Sequence, residues 1–257
     1  MKRITLISLA SLMFLSVMSA SAAAADKANV MRIYDDSVAP AQVGAYEAGI
    51  KAFNKCMHDH GFKYRFTALN HQTGGTYEMS YVSDLVTWAD FDKMHEQGKP
   101  CSATWRSAVD PHLQSEDSAF AVDMPELSHT SKGVDMGHGL YSVTALKLKP
   151  GHKNYETFTA DAKKFAEAAN KTNWPGHWNM LAIQAAGPGA PSFMLVSQAT
   201  SWADYGREMN PPFWKMVEKV YGKTRTNRMR ADLDRVIAKA SSHVDSYNAD
   251  LSYIPAK

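Results

Sequence analysis

Met57-His58-Asp59-His60-Gly61 is a dense run of titratable side chains, and imidazoles are ready ligands for transition metals. The spacing argues against that use. His58 and His60 are two residues apart at the end of a helical pattern, so they point to different faces. Metal pairs on helices use i, i+4 spacing, as in His-Glu-x-x-His, which the chain lacks. The expectation is a solvated helix end, no bound metal and no cofactor. Nucleophile and phosphate signatures are also missing: there is no Gly-x-Ser-x-Gly, no P-loop and no Gly-x-Gly-x-x-Gly. Gly187-Pro188-Gly189 is followed by a strand pattern, which makes it a hairpin loop. Asn170-Lys171-Thr172 matches a glycosylation triplet, which has meaning only on a eukaryotic secretory route.

What remains is a mixed polar and aromatic lining. Arg65, Thr67, Glu78 and Ser80 alternate out of phase with Tyr64, Phe66, Tyr77 and Tyr81. One set must face whatever space the strands enclose. If it is the polar set, Arg65 and Glu78 form a cross-strand pair in a cleft. If it is the aromatic set, the cleft suits a flat apolar ligand. Trp178 and Asn179 occupy the matching strand later in the chain. The candidate ligand-binding residues are therefore Tyr64, Arg65, Glu78, Trp178 and Asn179.

The elements that position these residues occur twice. Tyr81 to Phe91 and Leu195 to Tyr205 align at a constant offset, with Val82, Ser83, Trp88, Ala89 and Asp90 matching Val196, Ser197, Trp202, Ala203 and Asp204. Such self-similarity means two copies of one unit packed together. In the first copy, strand patterns at 30–34, 63–69, 77–82 and 119–123 alternate with helical patterns at 43–57, 88–96 and 102–113. In the second, strands at 140–148, 178–184 and 193–198 surround a helix that carries Tyr155, Phe158, Ala162, Phe165 and Ala169 on one face. A later helix carries the stripe Met229, Leu233, Val236, Ile237, Ala240, and His243 to Asn248 closes the unit. The order β-α-β-β-α-β is the ferredoxin-like split βαβ. Trp88 and Trp202 read as packing residues, and Asp90 and Asp204 as carboxylates at helix N-termini.

The N-terminus reads as an export signal. Lys2 and Arg3 precede an apolar run from Ile4 to Met18, and Ala20-Ser21-Ala22 offers a small-x-small cleavage site, with Ala25 as an alternative. The run is short of the roughly 20 residues of a spanning helix. A periplasmic or secreted location follows, with no membrane association after cleavage. The whole chain carries 28 basic and 26 acidic residues, and loss of Lys2 and Arg3 balances them. No basic stripe argues for nucleic acid. Cys56 and Cys101 are the only cysteines, and an oxidising compartment suits one disulfide between them, against the alternative of two free thiols. The organisation expected is a signal at 1–22, repeat A at 29–130, a linker at 131–138 and repeat B at 139–255.

Strands with apolar residues on both faces need cover on both sides, which two facing sheets supply. In element order and duplication the chain resembles the dimeric α+β barrel superfamily, here fused in tandem. That group includes antibiotic-biosynthesis-type monooxygenases, NIPSNAP-like proteins and haem-degrading enzymes. The resemblance implies an α+β fold with two repeats packed sheet to sheet in one chain, and a monomer because the partner sheet is already supplied. It also implies a choice of roles. The first is binding of a small apolar or aromatic molecule between the sheets. The alternatives are a cofactor-poor monooxygenase and a structural barrel with a filled core. A haem-linked variant would use an Asn, a Trp and a His, for which Asn29, Trp88 and His95 are the matching order.

Overall fold

The computed structural model describes residues 27–130 and 138–256. The expected signal segment and most of the linker lie outside the described residues. The first half runs β1 (Val30–Val38), α1 (Val43–Asp59), β2 (Phe66–His71), β3 (Glu78–Ser83), α2 (Trp88–Gly98), α3 (Ser102–Ala108) and β4 (Leu113–Asp123). The second runs β5 (Leu140–Leu148), α4 (His152–Thr172), β6 (Asn179–Gln184), β7 (Phe193–Ala199), α5 (Trp202–Tyr205), α6 (Phe213–Tyr221), α7 (Lys223–Val236) and β8 (Ile237–Tyr253).

The strands close a barrel in the order β1-β3-β2-β8-β5-β7-β6-β4. Each half contributes four neighbouring strands in ferredoxin-like order, and the two sheets join edge to edge through β2·β8 and β4·β6. Closure satisfies the edge N–H and C=O groups that either sheet alone would leave open. β8 makes it possible by its length: its first part pairs with β5, and from Asp245 onward it pairs with β2.

Two helical expectations give way to this closure. The stripe through Ile237 and Ala240 does not continue a helix, because α7 ends at Val236 and Ile237 is extended. Nine residues of β5 offer that segment a ladder, and tertiary pairing overrides a helical pattern. The helix expected to reach Leu113 ends at Ala108, and Leu113 already pairs with Val38.

Local chemistry sets the helix starts. Thr87 N–H and its hydroxyl both donate to Asp90 Oδ2, at 3.0 and 2.7 Å, capping α2. Asp204 repeats this, accepting from Thr200 N–H at 2.9 Å. The tryptophans do not behave as core residues. Trp88 is 47% and Trp202 53% exposed, since each opens a helix at the rim of the sheet. Trp88 rests on Phe91 and Phe120, and Trp202 on Tyr205.

Cys56 and Cys101 form a disulfide with Cα atoms 5.8 Å apart, tying α1 to the turn that leads into α3. Gly49 on α1 lets the two helices meet: a Cβ there would stand 1.9 Å from the Ala108 carbonyl oxygen. Helices α1 to α3 thus form one braced layer over the outer face of the first sheet.

Candidate functional site

Period-two alternation divides the strand side chains between two cavities. Ile33 and Asp35 of β1, Thr67, Leu69 and His71 of β2, and Glu78, Ser80 and Val82 of β3 point into the barrel. Tyr141, Val143, Asn179, Leu181, Met194, Val196, His243 and Asp245 meet them from the second half, around a lumen of about 750 Å³. The alternate residues Arg32, Tyr34, Asp36, Phe66, Tyr81 and Phe120 point the other way. With Phe53, Met57, Phe62, Phe91, Met94, His95 and Trp105 they line a cavity of about 520 Å³ between the first sheet and its helices.

The polar set Thr67, Glu78 and Ser80 therefore faces the lumen, and the aromatic residues Phe66 and Tyr81 face the helices. The candidate residues separate accordingly. Glu78 and Asn179 line the lumen, but at opposite ends: Glu78 pairs with Ser37 near the end of β1, whereas Asn179 lies beyond the Leu181–Asp123 pair at the end of β4. Trp178 does not join them. As the neighbour of Asn179 it faces away, buried beneath Trp174 and Phe213, with its indole N–H donating to Leu127 O at 2.8 Å. Tyr64 precedes β2 and donates to Asp90 Oδ1 at 3.2 Å, outside the barrel. Arg65 also precedes β2 and is not part of either lining. It does not pair with Glu78, because the register sets Phe66 opposite Ser83 and Asn70 opposite Met79. That brings His71 to Glu78 instead, with Nδ1 3.3 Å from Oε2.

The helix–sheet cavity has an apolar body and a polar wall. The Arg32 guanidinium lies 4.4 Å from the Phe120 ring centroid and 4.9 Å from that of Tyr34, and it donates to Ser118 Oγ at 2.8 Å. Further along the same face of β1, Asp36 is buried and accepts a hydrogen bond from the Tyr46 hydroxyl at 2.5 Å. The Tyr46 and Tyr81 hydroxyls are 2.9 Å apart. Asp36 Oδ1 is buried with no hydrogen-bond partner. Loss of water pushes the Asp36 pKa up to about 7, the Tyr46 hydrogen bond opposes the rise, and Glu116 and Asp35 add to it. Burial likewise raises both tyrosines. The result is a carboxyl group that can hold or release a proton near neutrality, set in an aromatic pocket. Of Asn29, Trp88 and His95, only His95 lines the cavity.

No family model matches the chain, and no curated protein does. Solved structures do. The chain is similar to an anthrone oxidase-like protein, with a TM-score of 0.54, 12% identity, and coverage of 87% of this chain and 93% of that one. A candidate monooxygenase from Lactobacillus acidophilus NCFM superposes with a TM-score of 0.51 at 10% identity, covering 89% of this chain and 99% of that one. Chlorite dismutase from Candidatus Nitrospira defluvii follows at 0.52 and 11%, with 87% and 92% covered. The chain has the dimeric α+β barrel fold. In this barrel both halves come from one chain, and the element order β-α-β-β-α-β occurs in each.

Sequence reasoning missed two sets of residues. Phe53, Phe91 and Phe120 were not singled out as a lining, because a pocket wall and a core face carry the same period. His243 and Asp245 were not connected with His71. The signal was there: residues i and i+2 of a strand share a face.

Proposed function

We propose that the protein binds a small, flat, largely aromatic molecule in the cavity between the first sheet and α1 to α3, with Arg32 and Asp36 as its polar anchors. The observation that carries this reading is the aromatic lining of a cavity of about 520 Å³, closed on one side by a guanidinium stacked on Phe120. Binding pockets combine such a body with a few placed polar groups. The reading moves the aromatic ligand out of the space between the sheets, whose polar end is lined by carboxylates and histidines. The mature chain, on this proposal, is exported after loss of 1–22 and acts as a monomer, since the barrel has no open sheet edge to offer a second copy. No described helix is long and apolar enough to cross a membrane.

The test is thermal stability in the presence of hydroxylated anthracenes, naphthols and quinones. A ligand at 100 times its Kd stabilises by about 2.7 kcal/mol, worth roughly 5–10 °C for a domain of this size. Arg32→Met should abolish the shift. No shift with any aromatic compound, or a shift unchanged in Arg32→Met, would sink the reading.

A second reading, oxygen-dependent oxidation of that ligand without a dedicated cofactor, is favoured by Asp36. A carboxyl with a pKa near 7 can take the proton from a phenolic substrate, and the deprotonated ring then supplies electrons to oxygen. The anthrone oxidase-like and monooxygenase names of the structural relatives suit this chemistry. Oxygen consumption with anthrone-type substrates tests it. Uptake should be lost in Asp36→Asn while binding persists, and absence of uptake in the wild type leaves the protein a binder only.

A further inference from the structure

The polar end of the lumen holds a cluster that neither cavity wall explains as packing. His71 at the end of β2 and His243 and Asp245 on β8 each offer a ligand atom, and these atoms all lie within 4.8 Å of one another. His71 and Asp245 are buried and His243 is partly so. The imidazole rings stack with centroids 4.4 Å apart. His243 Nε2 is 3.3 Å from Asp245 Oδ2, and His71 Nε2 is 3.7 Å from Asp245 Oδ1. A second observation points to a ligand. Asp245 is 1% exposed, and its Oδ1 is buried without a hydrogen-bond partner. A buried carboxylate oxygen left unpaired is costly, and a cation beside it removes the cost.

We propose that His71, His243 and Asp245 bind a divalent first-row transition metal, such as zinc or iron(II), with its remaining coordination positions facing the lumen. Two imidazoles and one carboxylate are a donor set suited to these ions. The geometry also supplies an orienting partner. Glu78 Oε2 lies 3.3 Å from His71 Nδ1, so an Nδ1–H donated to Glu78 leaves the Nε2 lone pair for the ion. Nε2 lies 2.9 Å from Ser80 Oγ, whose own proton goes to Asp35 Oδ1 at 2.6 Å, so an ion at Nε2 takes the place of the Ser80 contact. All three ligands line the lumen of about 750 Å³, so a small exogenous molecule can reach the open positions. This is the arrangement of a reactive rather than a closed structural site. Among the described residues the other grouping of this kind, Cys56, His60 and Cys101, has both its sulfurs in the disulfide.

The test uses the untagged protein, stripped with chelator and titrated with zinc chloride by calorimetry. One ion per chain is expected, with a Kd of about 1 μM or tighter. His243→Gln and Asp245→Asn should weaken binding at least a hundredfold. Glu78→Gln, at a half-exposed side chain that folding tolerates, should weaken it 10- to 100-fold while leaving the melting temperature of the metal-free protein unchanged. X-ray absorption at the zinc edge of the wild type gives a readout independent of any variant, and two imidazoles with oxygen ligands are expected. No binding, binding undiminished in His243→Gln, or a zinc shell lacking imidazole would each overturn the proposal. The aromatic-ligand reading would stand in every case, because its cavity lies on the other face of the sheet.

Discussion

Asp36 makes the stability of this protein depend on pH in a direction that one substitution can isolate. In the unfolded chain its carboxyl titrates near 3.8, and in the folded protein burial pushes it up to about 7. The folded state therefore holds the proton over a range where the unfolded state has released it. Stability from this group is intact below the unfolded pKa, falls as pH rises toward 7, and levels off above it. At about 1.36 kcal/mol per pKa unit the full span is on the order of 4 kcal/mol, of which about 2–3 kcal/mol falls between pH 5 and 8. Asp36→Asn removes the ionisation and keeps an acceptor oxygen for the Tyr46 hydroxyl. Urea unfolding of both proteins at pH 5, 6, 7 and 8 is the assay. Asp123 is also raised by burial and contributes the same slope to both proteins, which cancels in the difference, whereas Asp35 and Glu116 couple to Asp36 and belong to the measured effect. The wild type should lose about 2–3 kcal/mol more than Asp36→Asn over this interval. Parallel profiles would show that Asp36 keeps an ordinary carboxylate pKa, which makes it too weak a base for the proton transfer on which the oxidative reading depends.

Three further outcomes follow from the braced helical layer and the closed barrel. Reducing the Cys56–Cys101 disulfide, or replacing both cysteines with serine, should cost about 2–4 kcal/mol in chemical unfolding and weaken aromatic-ligand binding, because α1 and α3 roof the cavity. Gly49→Ala should lower stability by about 1–3 kcal/mol, since its Cβ meets the Ala108 carbonyl and forces α1 off α3; an unchanged melting temperature would contradict the contact. Light scattering of the chain without 1–22 should return a monomer mass at micromolar concentration, and a stable dimer would refute the argument from edge closure.

Element order, the two-fold recurrence of β-α-β-β-α-β and the need for two facing sheets were legible in the residues themselves, and the barrel class followed from the resemblance they carry. Each depends on local periodicity and on the gross need to cover two apolar sheet faces. β5 was readable to the residue because Pro150-Gly151 stops it sharply. The capping carboxylates Asp90 and Asp204 were readable because a cap acts within four residues. The candidate site was legible only in fragments. Glu78 and Asn179 do line the lumen, but Tyr64, Arg65 and Trp178 do not, and the polar and aromatic sets could not be assigned to a face from alternation alone. Alternation states that neighbours face opposite ways, and only the placement of the helical layer says which way is in. Strand register decided the rest. It moved Glu78 from Arg65 to His71, turned the segment after Val236 into the long strand β8, and brought His243 and Asp245 beside a histidine that stands far from them in the chain. Such contacts arise from the closing of two sheet edges, a long-range event with no local sequence signal, and for that reason the tertiary structure alone determined where the chemistry of this barrel gathers.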